Sequence, residues 1–136
     1  MANLLDYDVI VFDLDDTLYS EMDYILSGYK FSSDLIEGLY SKNTYETFIK
    51  ALNEKVTDVF SYVISEHKLP TMLKEHLILS YRYHVPNIKL HEGVMPILEK
   101  LKKKNVPIYL ITDGRSITQR LKIVSLDIEC FFENIF

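Results

Sequence analysis

The chain of 136 residues carries 15 Lys and Arg against 20 Asp and Glu, a formal charge of −5, and 48% of its residues are hydrophobic. That balance excludes a disordered polymer and leaves no basic stripe of the kind that neutralises nucleic-acid or anionic-lipid phosphates, so neither partner is expected. The single cysteine, Cys130, excludes an internal disulfide, the start carries no basic signal-peptide region, and no apolar run nears the ~18 residues of a membrane span; a reducing cytoplasm is the expected setting.

Val9–Phe12 is β-branched and aromatic without alternation, which predicts a strand buried on both faces, as in a parallel sheet. Glu21 to Tyr40 reads as a helix despite Gly28 and Gly38. Phe48, Leu52, Val56, Val59, Phe60 and Val63 recur at three- and four-residue steps and predict one long helical face. Met72, Leu73, Leu77 and Tyr81 predict a helix after Pro70, with Thr71 as its N-cap. Glu92 to Asn105 predicts another, with Pro96 in its first turn and a basic last turn that complements the helix dipole. A second buried strand is expected at Ile108–Ile111, a helix at Ser116–Val124, and the start of a third strand at Asn134–Phe136. The expected fold class is therefore α/β, a partial parallel-sheet, Rossmann-like core formed by residues 1–18 and 89–136, with a helical insertion at 19–88.

Both strands run into acidic, polar segments: Asp13-Leu14-Asp15-Asp16-Thr17 after the first, Thr112-Asp113-Gly114-Arg115 after the second. Ligands of open α/β sheets bind beyond the carboxyl ends of strands, so the two segments predict one site built from distant parts of the chain. Alternate residues leaving a strand can face one cavity. A carboxylate there can attack phosphorus to give an acyl-phosphate, and a second carboxylate two residues on can pass a proton to the leaving oxygen and then activate water. An acidic cluster of this kind suits a hard cation such as Mg²⁺.

At these residues the chain resembles the haloacid dehalogenase-like hydrolase superfamily. The match to its first motif is complete across Asp13-Leu14-Asp15-Asp16-Thr17-Leu18, and Ile108–Ile111 followed by Thr112-Asp113-Gly114 is similar to its second. The resemblance implies Asp13 as nucleophile, Asp15 as general acid and base, and Mg²⁺ on the Asp13 side chain and the Asp15 backbone carbonyl. It implies a phosphate hydrogen bond from the Thr112 hydroxyl, helped by the N–H groups of Asp113 and Gly114, and a helical cap between the motifs. The second aspartate favours a phosphatase, acting on a small phosphorylated metabolite, over a dehalogenase. The family's third-motif lysine and fourth-motif acidic pair lie downstream of the third strand, where this sequence stops at Phe136, and Lys122 follows the second motif too closely to be that lysine. The alternatives are therefore a truncated, catalytically inert fragment or binding module, or a chain whose sheet is completed by a second copy or another partner.

Other residues carry blander expectations. Asp16 reads as a structural turn acid. Arg115 reads as a solvated residue at a helix start. The tyrosines of the insertion read as helix packing with their polar tips reaching water.

Overall fold

A computed structural model describes residues 3–136. Three short parallel strands, β1 (Ile10–Phe12), β2 (Ile108–Leu110) and β3 (Asn134–Ile135), form one sheet in the order β1-β2-β3. Six α-helices accompany them: α1 (Glu21–Tyr40), α2 (Tyr45–Asn53), α3 (Val59–Glu66), α4 (Leu73–Tyr83), α5 (Val94–Lys103) and α6 (Ser116–Leu126). This is the α/β class expected, with helices α5 and α6 serving as the two parallel crossovers. No helix among the described residues is long and apolar enough to cross a membrane.

The chain divides into two compact units. One comprises the residues up to Tyr24 together with Val85–Phe136, and the other is Ile25–His84. The crossings thus fall inside α1 and just after α4, rather than at 18/19 and 88/89. Side chains explain the shift: Tyr19 is fully buried and bridges to Leu90, and Tyr24 lies beneath the Lys122 ammonium, so both belong with the sheet.

In the sheet unit, β1 and β2 pair Ile10 with Ile108 and Phe12 with Leu110, and β2 and β3 pair Leu110 with Ile135. Ile108 and Leu110 are buried and share a core with Leu98, Leu101, Ile123 and Ile128. The alternate positions Val9, Val11, Ile111 and Phe136 are exposed. Strands expected to bury both faces therefore bury one in this structure.

The helical unit packs around Tyr29, Ile36, Phe48, Val63, Leu73 and Leu77. Tyr29 stacks on Phe48 at 5.0 Å between ring centroids, and Phe60 meets both Phe48 and Tyr81 edge-on. Gly28 is the residue that lets α1 approach α4, because a Cβ there would come within 2.3 Å of the Tyr81 ring. These tyrosines are packing residues, as their helical spacing suggested.

Two helix boundaries differ from the sequence reading. The single long face over Phe48–Val63 is two helices, because Lys55 takes a left-handed turn (φ 54°) and the Asp58 carboxylate then caps α3 by accepting from the Ser61 N–H at 3.1 Å. Helix α4 begins after Met72, with no side-chain cap; Thr71 sits in the preceding turn, where its carbonyl accepts from Lys74 N–H. Left-handed residues also end α3, α5 and α6 at Lys68, Asn105 and Asp127, each followed by an N–H that reaches back to a carbonyl in the helix's last turn.

His84, buried at the end of α4, has a fixed tautomer. Its Nδ1 lies 2.6 Å from the Tyr81 carbonyl, which only accepts, so Nδ1 carries the proton and Nε2 accepts from the Ser27 hydroxyl at 3.1 Å. Burial holds the imidazole pKa below its ordinary 6.5, and the Tyr81 hydrogen bond offsets this only partly. A depressed folded-state pKa means that the unfolded chain binds the proton more readily, so stability is full above about pH 6.5 and is lost as pH falls below it. Urea denaturation of the chain from pH 7.5 to 5 should show the helical unit weakening, and His84→Gln should flatten that dependence. Equal slopes for the two proteins would refute the assignment.

Candidate active site

Asp13 and Thr112 are the first residues beyond Phe12 and Ile111, at the carboxyl ends of adjacent strands. The sheet carries on just far enough to join them: Ile111 N–H donates to the Phe12 carbonyl at 2.9 Å, and Thr112 N–H donates to the Phe136 carbonyl at 2.9 Å. Leu14 and Leu18 bury completely beneath the first loop, while Asp13 and Thr17 stay exposed above it. Thr17 Oγ1 donates to Asp13 Oδ2 at 3.1 Å, and Leu18 N–H closes the loop onto the Leu14 carbonyl at 3.0 Å. Asp16 adopts φ 53° and its carboxylate accepts from the Glu21 N–H at 2.8 Å, which anchors the start of α1 and confirms a structural role.

Asp15 is the most heavily engaged group in the site. Its Oδ1 accepts from the Tyr19 hydroxyl and from Lys122 Nζ, the latter at 2.7 Å, and its Oδ2 accepts from Gln119 Nε2 at 2.7 Å. Burial works against the ionised carboxylate, but the hydrogen bonds from Lys122, Tyr19 and Gln119 outweigh it and hold Asp15 below the usual carboxylate range. The same burial, with the Asp15 charge alongside, pushes the Tyr19 phenol far up, so it stays a donor.

Gln119 also donates to Thr112 Oγ1 at 2.6 Å, so one amide ties the second motif to the first. Because the Thr112 hydroxyl accepts this bond, its own proton remains available for an acceptor above it. Gly114 has φ 147°, and a Cβ there would stand 3.0 Å from Gln119 Cδ, so the turn needs glycine for its backbone and for the amide beside it. Asp113 and Arg115 are exposed. A pocket lined by Thr112, Gly114, Ser116, Gln119 and Arg120 opens beside the second turn.

The residues singled out from the sequence, Asp13, Asp15, Thr112, Asp113 and Gly114, lie together at one end of the sheet. The sequence reading missed Tyr19 and Gln119, and it weighed Lys122 only as a phosphate-binding lysine. A signal was present: Gln119 and Lys122 stand three apart on the same stripe of α6 as the buried Ile123 and Leu126, and a lysine within an apolar stripe needs a partner.

A hard cation fits the chemistry of the exposed Asp13 carboxylate. No group of three or more His, Cys, Asp or Glu side chains converges among the described residues, so such an ion would keep most of its ligands as water or substrate oxygen, as Mg²⁺ does.

Residues 10–136 match the family model described as haloacid dehalogenase-like hydrolase, and the chain belongs to that family. No curated protein matches it. Among solved structures it resembles a candidate β-phosphoglucomutase from Thermotoga maritima, at 17% identity and a TM-score of 0.67 over 95% of this chain and 60% of that one. It also resembles a candidate phosphatase from Clostridium difficile, at 19% identity and a TM-score of 0.59 over 96% and 60%. A third is the candidate HAD-hydrolase YfnB from Bacillus subtilis, a structure bound to magnesium, at 18% identity and a TM-score of 0.56 over 96% and 63%. At these identities the likeness is one of fold, and the chain spans about 60% of the length of each of these structures.

Gly114→Ala should press on Gln119 and loosen the link between the two turns, costing about 1–2 kcal/mol. Urea denaturation checks this, and an unchanged midpoint would refute the close approach.

Proposed function

We propose that this chain carries the nucleophile end of a magnesium-dependent phosphohydrolase that acts on a small phosphorylated metabolite through an aspartyl-phosphate. The observation that carries the reading is the meeting of Asp13, Asp15 and Thr112 at the carboxyl ends of adjacent parallel strands, with Gln119 bridging Asp15 and Thr112.

In this reading an Asp13 oxygen attacks phosphorus as the bond to the leaving oxygen breaks. Thr17 steadies the Asp13 carboxylate, and the Thr112 hydroxyl donates to a phosphoryl oxygen, helped by the N–H groups of Asp113 and Gly114. Ionised in the resting structure, Asp15 must first take a proton from solvent; it passes that proton to the leaving oxygen and then takes one from the water that cleaves the acyl-phosphate, which regenerates Asp13 and the protonated Asp15. The Asp13 side chain and the Asp15 backbone carbonyl would hold Mg²⁺, which would supply charge neutralisation for the phosphoryl oxygens. The helical unit is proposed as a cap that restricts water and shapes specificity. Asp13→Asn should lower Mg²⁺-dependent hydrolysis of p-nitrophenyl phosphate by at least ~1,000-fold; unchanged hydrolysis would overturn the reading.

One observation favours a second reading. Lys122 is engaged with Asp15 through an ion pair at 2.7 Å. If no other cation serves a substrate phosphate, the 136-residue chain binds ligand without turnover, and a second copy or another partner chain completes both site and sheet. The purified chain should then be an oligomer, or inactive until the partner is added. Multiple turnovers by a strict monomer in size-exclusion chromatography would exclude this reading.

A further inference from the structure

Lys122 is buried, with only 4% of its surface exposed, on a helix whose neighbouring inward positions are Ile123 and Leu126. Lysine is rarely buried to this degree, because its ammonium loses hydration that only a well-placed partner can replace. Here the partner is one carboxylate. Lys122 Nζ lies 2.7 Å from Asp15 Oδ1, and it stands over the rings of Tyr24, 4.4 Å to the centroid, and Tyr19, 5.9 Å. An aromatic face is the neutral neighbour that best tolerates a desolvated cation. The aromatic rings and the carboxylate together form a socket for one ammonium.

The socket has a consequence for Asp15. Its two oxygens accept from three donors, and two of those, Gln119 Nε2 and Lys122 Nζ, come from a single helix at positions three apart. The third, Tyr19, belongs to the same loop as Asp15. The carboxylate is thereby held at both oxygens from α6 and at one from its own loop. Packing alone does not explain this choice, because an apolar side chain would fill the same position on α6 without the desolvation cost, and such replacements of buried ion pairs are often neutral or stabilising.

We propose that Lys122 is a positioning residue, which fixes the ionised Asp15 carboxylate against α6 in the orientation from which it accepts a proton from the attacking water. The assignment of a catalytic task to Asp15 rests on the phosphohydrolase reading; the fixing of its side chain does not. Lys122 works through Asp15, the carboxylate that its ammonium meets.

The test uses the 136-residue chain with Lys122→Met, Lys122→Arg, Asp15→Asn and the Lys122→Met/Asp15→Asn double variant, with Asp13→Asn as reference. Side-chain NMR reads the clamp without turnover. The wild-type and Asp13→Asn proteins should show a slowly exchanging Lys122 ammonium signal and a single Asp15 χ1 rotamer. The ammonium signal should vanish in Asp15→Asn, and the Asp15 rotamer should average in Lys122→Met. An ammonium signal that survives Asp15→Asn, or an Asp15 rotamer unchanged in Lys122→Met, would overturn the proposal.

Kinetics with p-nitrophenyl phosphate and Mg²⁺ read its consequence. Lys122→Met should lower kcat roughly 10- to 100-fold with KM within about twofold. Lys122→Arg should restore part of that loss, and Lys122→Met should have little further effect in the Asp15→Asn background. A kcat loss that persists in full in that background would mean that Lys122 acts by another route, and would overturn the proposal. Full activity in Asp13→Asn would instead sink the phosphohydrolase reading, and no turnover by the wild-type chain would favour the partner-completed site, while in either case the NMR result decided the clamp.

Discussion

Parallel pairing of β1 with β2 is the constraint on which the rest of this molecule depends. It joins Ile10–Phe12 to Ile108–Leu110 across the whole helical insertion. Such pairing gives no local reward: the long loop must close before any ladder hydrogen bond forms, at an entropic cost that rises slowly with loop length. What offsets it is burial of Ile108 and Leu110 against the helices that follow, together with a separately packed core within the insertion. Once the register is set, Asp13 and Thr112 leave the sheet side by side, and no further device is needed to bring the two motifs together.

The direction of the sheet explains why only one of its faces is covered. Both crossovers advance the same way, from β1 to β2 to β3, and right-handed connections advancing in one direction put their helices on one face. Ile108 and Leu110 are buried, and Val9, Val11, Ile111 and Phe136 on the alternate positions are open. Parallel sheets ordinarily have both faces covered. The continuous apolar runs that identified the strands suit such a two-sided environment, of which the 136 residues supply one side.

The site follows the same logic of one-sided support. Asp13 is exposed and lightly held by Thr17, as suits a group that must meet a ligand. Asp15, two residues on, is gripped by Tyr19, Gln119 and Lys122. Two carboxylates of one loop thus receive opposite treatment, and the difference comes from α6, a helix more than a hundred residues away in the chain. Gly114 belongs to this arrangement as well, since its bare Cα leaves room for the Gln119 amide that spans both turns.

The sequence by itself determined the strand positions, the α/β class and the motif residues Asp13, Asp15, Thr112, Asp113 and Gly114. These depend on short-range signals: apolar runs ending in Asp or Thr are visible without knowing what lies beside them. Tertiary structure decided the break between α2 and α3 and the left-handed turn at Lys55, where no glycine marks the stop and the apolar spacing continues across the turn. It also decided the crossing points of the insertion, because Tyr19 and Tyr24 are assigned by what they touch. Above all it decided the partner of Lys122. A lysine on an apolar stripe announces only that it needs an anion, and which anion is fixed by a contact between residues 107 apart in the chain.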